Sequence, residues 1–432
     1  MPDWTSRLTE LATAAAVPGA VLGICADGEQ TIAPYGVLNR ATGVEVTADS
    51  VFQLGSISKA WTATMIAQLA AGNRLSFDDR VIKLLPEASI DERITVRHLL
   101  THTSGIDGDV FTDTGRGDDC VERYVGLLAE VDQLFAPGEA YSYCNAGFVV
   151  LGRIIEVLDG RSWDDSLRAR LISPLGLRST VTLPEEAILH RAALGHVADG
   201  SPVTTWQLPR SIGPAGLVTS SAGDLLTFAR LHLDDHSYAG MLEPQVEMPD
   251  GANGVTHLGL AWRLYDWSGR RLFGHDGATI SQLAFLRIDP EARLAVCLLT
   301  NSANAPALFD TIASEVFLHH VGVAVPPTPE PLPTDSPTAA HLSGDQHIGV
   351  YERASARMEV RRRDNRLVIT YQATGDRLAF AEEPILESEL HPTAPADGDH
   401  YVTRSNSTQP WVPVTFTPTH VFTSGRLTPR TS

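Results

Sequence analysis

The sequence predicts an α+β fold: one sheet draws strands from both ends of a long first domain, and a small all-β domain follows. Three observations predict it. Strand-like apolar runs near residues 17–37 and 259–300 enclose a region of helical periodicity. The run PPTPEPLP, within residues 322–343, reads as a stiff extended linker. Beyond it only short β-like runs occur. The expected division is residues 1–321, a linker at 322–343, and a small barrel or sandwich at 344–432.

Residues 4–15 form an amphipathic pattern, and residues 17–25 and 31–37 read as strands around an Asp27-Gly28 turn. A short extended run at 51–54 ends in Gly55. From Ser56 to about Ala71 the chain is rich in Ala, Met, Leu and Ile at helical spacing. Ser56 thus falls at a helix start, where free N–H groups favour negative charge. Further helices are expected at 95–102, 144–158, 222–233 and 306–320. Strands are expected at 259–265, 271–275, 282–288 and 294–300. In the last domain the expected strands are 347–351, 357–362, 366–372 and 412–416, with a hairpin turn at Asp364-Asn365.

A net charge of −19 over 432 residues argues against nucleic acid and anionic membrane as partners. Residues 344–432 hold 11 acidic and 10 basic side chains, so the acidic surplus lies in the first domain. Cys25, Cys120, Cys144 and Cys297 match no zinc-ligand spacing and read as free thiols in a reducing compartment. The N-terminus lacks the basic flank of a signal peptide, and no apolar run has the length of a membrane span. A soluble cytoplasmic protein without a cofactor or metal is expected.

Only two lysines occur, beside 31 arginines, and one of them, Lys59, stands three residues after Ser56. Arg stays protonated at any biological pH, whereas a desolvated Lys can lose its proton. Ser56 and Lys59, one helical turn apart, form a nucleophile beside its activator. The spacing alone is a weak signal. Tyr143-Cys144-Asn145 opens the expected helix at 144–158. Alone, this reads first as an Asn145 N-cap beside a core aromatic. Its functional reading is a phenol that relays protons and a carboxamide that orients an amide. His275-Asp276-Gly277-Ala278 ends an expected strand, where His275 and Gly277 share a face and Asp276 points away. Gly277 would let a substrate backbone approach, and the Ala278 N–H could face an oxyanion. Alone, it reads first as a strand-end histidine.

Together, in the order SxxK, YxN, HxG, these motifs resemble the serine β-lactamase and penicillin-recognising hydrolase superfamily. The likeness is to its class C-like branch of D-aminopeptidases, esterases and transacylases. ITVRHLLTHTSGI (94–106), SPLGLRST (173–180) and GPAGLVTSSAGDLLTFARLHL (213–233) are also similar to that branch. The resemblance spans about residues 5–320 and implies a β-lactamase/transpeptidase-like fold. The C-terminal region is similar to the lipocalin-like appendage of some such enzymes.

The resemblance also implies roles. Ser56 would be the acylated nucleophile, Lys59 its activator and Tyr143 a general base or relay. Asn145 would bind the substrate amide, and the Ser56 and Ala278 N–H groups would form the oxyanion hole. His275 stands where β-lactamases carry a lysine, a departure that argues against efficient β-lactam turnover. The implied activity is hydrolysis of a small-molecule or peptidyl amide, ester or thioester. The alternative is transfer of the acyl group to an amine, as in peptide cyclisation. A non-catalytic acyl-binding scaffold is disfavoured because all four key side chains are present. His98 and His102 have i, i+4 spacing, but HLLTH lacks the Glu of a zinc-protease motif. No G-x-S-x-G surrounds Ser56.

Overall fold

The computed structural model describes residues 2–249, 251–333, 344–364, 366–379, 384–394, 398–406 and 409–432. Strand Gly19–Ala26 lies at the heart of a nine-stranded sheet, between Glu29–Asn39 and Leu294–Thr300. Ala20 pairs with Thr300 and Ala26 with Leu294, so both ends of the first region build one sheet, as the apolar runs predict. The order continues through Leu283–Asp289, Arg270–Ala278, Arg263–Trp267, Val255–Leu258 and Val246–Glu247.

Both faces of this sheet are covered, and the two-residue period of a strand divides its side chains between two cores. Leu22, Ile24, Val296 and Leu298 meet helices Trp4–Ala14 and Pro306–Val321. Val21, Cys25, Cys297 and Leu299 meet helix Ala222–Asp234 and the helical region. At the centre of that region runs helix Ser58–Ala71, whose residues 58–66 are all buried. Trp61 stacks on Phe228 at 3.9 Å between ring centroids. A helix buried on all sides holds its side chains in a fixed frame, which suits an element that carries reactive groups.

The expected strand at 259–265 begins only at Arg263. Gly259 N–H donates to the Trp262 carbonyl and Ala261 adopts a φ of +68°, so residues 259–262 form a turn. The expected helix at 95–102 ends at Leu100, because His102 sits at a φ of +56°.

The C-terminal region is all-β, as expected, and holds more strands than the sequence reading found. One antiparallel sheet contains Gly349–Arg353, Ala356–Arg363, Arg366–Ala373 and Ile385–Glu389. A second contains His391–Pro392, His400–Thr403, Val412–Phe416, His420–Thr423 and Arg426–Pro429. A bridge between Tyr351 and Arg430 joins the two sheets around Met358, Val360, Val414 and Phe416. Of the expected linker, residues 334–343 lie outside the described residues, as does Asn365 of the expected turn.

Candidate active site

Gly55 makes the turn that presents Ser56. Its φ is +51°, and a Cβ there would stand 2.5 Å from the Ala278 nitrogen, so only glycine fits. A Cβ on Gly277 would stand 2.8 Å from the Ser56 nitrogen. The strand end therefore crosses directly over the Ser56 turn and brings the Ser56 and Ala278 amides side by side. The reason expected for Gly277 needs correction. The space it leaves faces the chain's own Leu54–Ser56 backbone, not a ligand.

Lys59 follows one turn later and is fully buried. Its Nζ donates to Ser56 Oγ at 3.2 Å, Asn145 Oδ1 at 2.7 Å and the Ala215 carbonyl at 2.7 Å. Three acceptors match the three donors of an ammonium. Burial pulls the Lys59 pKa below its usual value, and Tyr143 opposes that shift.

Asn145 is the first residue of helix Asn145–Asp159. The expected Asn145 N-cap is therefore corrected to Cys144, whose Sγ accepts from Gly147 N–H at 3.2 Å. That frees the Asn145 carboxamide, which points to Lys59 on one edge and donates from Nδ2 to Asp109 Oδ1 at 2.8 Å on the other. Burial pushes the Cys144 thiol up to about 11, so it stays protonated and serves as packing and cap.

Tyr143 is buried, and its ring lies 4.8 Å from Lys59 Nζ and 4.8 Å from the Arg426 guanidinium carbon. The His102 ring lies beside it at 4.3 Å between centroids, tilted by 31°. His102 Nδ1 accepts from the Cys144 N–H at 3.0 Å. Both histidines hold backbone, for His98 Nδ1 accepts from the Thr95 N–H. Among the described residues no cluster of three or more His, Cys, Asp or Glu is placed to hold a metal ion.

His275 is buried, and its Nδ1 lies 2.5 Å from the Asp276 carbonyl oxygen. A carbonyl only accepts, so Nδ1 carries the proton and Nε2 presents its lone pair. Burial first, then Arg263 and Lys59, push the His275 pKa down to about 3. This histidine is neutral at working pH and supplies no fixed charge. Asp276 points away as expected, and takes Arg287 at 2.6 Å and Arg263 at 3.1 Å. Tyr143 Oη and His275 Nε2 are buried with no hydrogen-bond partner among the described residues. Orphaned polar atoms in a native site call for an explanation, and a ligand's polar groups supply one.

The structure thus brings Ser56, Lys59, Tyr143, Asn145, His275 and the Ala278 amide to one place. The sequence gives no expectation for Asp109, Ala215, Arg353 or Arg426, nor for the hydrogen bond of His102 to Cys144. His102 and Ala215 lie in segments that resemble the superfamily, whereas Asp109 and the two arginines carried no local signal.

The beta-lactamase family model matches residues 4–319. Penicillin-binding protein 4 of Amycolatopsis lactamdurans is 42% identical over 377 residues, covering 81% of this chain and 97% of that protein. The D-aminopeptidase of Brucella anthropi is 29% identical over 280 residues, covering 60% of this chain and 52% of that protein. Among solved structures, SurE with D-Leu superposes with a TM-score of 0.77 at 26% identity, over 99% of this chain and 98% of that one. On the extent of the family match and of the penicillin-binding protein likeness, the chain belongs to the beta-lactamase family.

Proposed function

We propose that this chain is a serine acyl-enzyme hydrolase acting on an amide or peptide bond of a small molecule or peptide, beside a D-residue. The observation that carries the reading is the buried Lys59 Nζ at 3.2 Å from Ser56 Oγ, with its proton affinity lowered by burial. In its neutral form Lys59 accepts the Ser56 hydroxyl proton, directly or through Tyr143, as Oγ bonds to the substrate carbonyl carbon. The resulting oxyanion meets the Ser56 and Ala278 N–H groups. The proton then passes to the departing amine as the amide C–N bond breaks. Water repeats the sequence on the ester and releases the acid. Residues 1–321 supply these groups, and the region at 344–432 supplies Arg353 and Arg426 around them.

The D-residue assignment is supported by the D-aminopeptidase relative and by SurE having been solved with D-Leu. Efficient β-lactam turnover is disfavoured because His275 is neutral. The test is p-nitroaniline release from D- and L-phenylalanine p-nitroanilide by wild type and Ser56→Ala. Release from the D-isomer by wild type alone supports the reading. Equal release by Ser56→Ala rejects it.

One observation favours a second reading, acyl transfer to an amine. The unpartnered lone pair on His275 Nε2 can accept a hydrogen bond from the N–H of an incoming amine and so orient it toward the acyl carbonyl. Adding D-Leu to the assay separates the two. A D-Leu conjugate formed in place of the free acid identifies transfer, and an unchanged product identifies hydrolysis.

A further inference from the structure

We propose that Asp109 is a positioning residue for Ser56 acylation, locking the Asn145 carboxamide toward Lys59 under the control of two arginines from the C-terminal region. The inference rests on the acyl-enzyme reading above. Asp109 is buried, and three cations converge on it from the other end of the chain. Arg353 reaches Oδ2 at 2.9 Å, Arg426 reaches Oδ2 at 2.9 Å and Oδ1 at 3.1 Å, and Arg377 stands at 3.8 Å. Burial opposes ionisation of Asp109, but Arg426 and Arg353 outweigh it and hold the carboxyl well below the usual range.

The logic is one of donors and acceptors. A carboxamide has a donating edge and an accepting edge, and either can face a neutral neighbour. An ionised carboxylate only accepts, so Asp109 must face Asn145 Nδ2. Asn145 Oδ1 is then forced toward Lys59 Nζ, at 2.7 Å. With Oδ1 and the Ala215 carbonyl fixed, the remaining Nζ direction is the one toward Ser56 Oγ. The C-terminal region is therefore a working part of the site. Its turn at Arg353–Ser355 and its hairpin at Ser424–Arg426 grip the loop that carries Asp109. The Ala354 N–H donates to Asp107 at 2.6 Å in the same grip.

The test measures Ser56 acylation by p-nitrophenyl butyrate in the full chain, separating the acylation rate constant from probe binding. It compares wild type, Asp109→Asn, Asn145→Ala and the double variant, with melting curves for each. Asp109→Asn lets Asn145 turn over, so acylation should slow roughly ten- to a hundredfold while binding changes less than about threefold. In the Asn145→Ala background the same change should cost less than about threefold, because Asp109 acts through Asn145. An equal loss in both backgrounds, or no loss, overturns the proposal. If Asp109→Asn does not fold, Arg353→Met replaces it. Arg353 reaches Asp109 but none of the side chains of Ser56, Lys59 or Tyr143, and its loss should slow acylation about three- to tenfold. An unchanged rate overturns the proposal.

Wild type that takes no label at Ser56 would reject the acyl-enzyme reading, and Lys59 itself then decides the present one. With two lysines in the chain, isotope-labelled lysine gives one signal for Lys59 and one for Lys83. Lys59 is faced by Tyr143, Arg426, His102, His275 and Asp109, of which Asp109 alone carries a fixed negative charge. Asp109→Asn should lower the Lys59 titration midpoint, because it removes the fixed negative charge that favours the ammonium. An unmoved midpoint overturns the proposal.

Discussion

The Tyr143 backbone N–H donates to the Gly425 carbonyl at 2.8 Å, tying the loop of the candidate phenol to a hairpin from the far end of the chain. Leu427 N–H donates to Ser142 Oγ at 3.2 Å one step further along. Gly425 sits at a φ of +76°, a conformation that a β-branched residue adopts only under strain. Gly425→Val should cost roughly 1–2 kcal/mol of stability and reduce kcat more than it raises KM, because the displaced group is Tyr143. Urea unfolding and steady-state kinetics on one preparation check it. An unaffected kcat would show that the hairpin merely covers the site.

Lys59→Arg preserves a cation at the site but removes the proton acceptor. It should lose roughly a hundred- to ten-thousandfold in kcat/KM, with the fold retained by circular dichroism. Activity above about a tenth of wild type would assign Lys59 a purely electrostatic role.

Histidine burial makes the fold acid-sensitive. Burial pulls the His232 pKa down to about 4, against an unfolded value of 6.5. Between those values the unfolded chain binds a proton that the native state does not, so stability falls as pH drops from 6.5 toward 4. At pH 5 this one group costs roughly 2 kcal/mol. Glu156, raised to about 7, and Asp310, raised to about 6, act in the opposite sense as pH falls, so a variant is needed to isolate the term. His232→Gln should lose less stability than wild type between pH 7.5 and 5, measured by urea unfolding at both values. Parallel losses would contradict the assignment.

For His275, nitrogen NMR should show a neutral ring protonated at Nδ1 from about pH 5 to about pH 9. Accordingly, kcat/KM should lack an inflection from this residue near its ordinary value. A doubly protonated ring near neutrality would restore the charge that β-lactam recognition uses and reverse the substrate argument.

How much of this was legible depended on distance along the chain. Ser56 and Lys59 lie three residues apart, and Tyr143 and Asn145 two, so local spacing displayed them. Asp109 is 244 residues from Arg353 and 317 from Arg426, and no periodicity links such positions. HLLTH predicts a helical His102, for nothing in it signals the left-handed conformation that His102 adopts. The two-ended sheet was visible because its strands are long and buried on both faces. The C-terminal strands His391–Pro392 and Arg426–Pro429 are too short and polar for a two-residue pattern to register. The Cys144 cap was missed because a thiol is not among the usual capping side chains.

Ser56 is the residue proposed to carry the acyl group. Intact-protein mass of wild type and Ser56→Ala, each mixed with D-phenylalanine p-nitroanilide, p-nitrophenyl butyrate and a peptidyl thioester, tests it most directly. Wild type should take one adduct, mapped to the peptide holding Ser56, and Ser56→Ala none. An equal adduct or equal turnover with Ser56→Ala would contradict it.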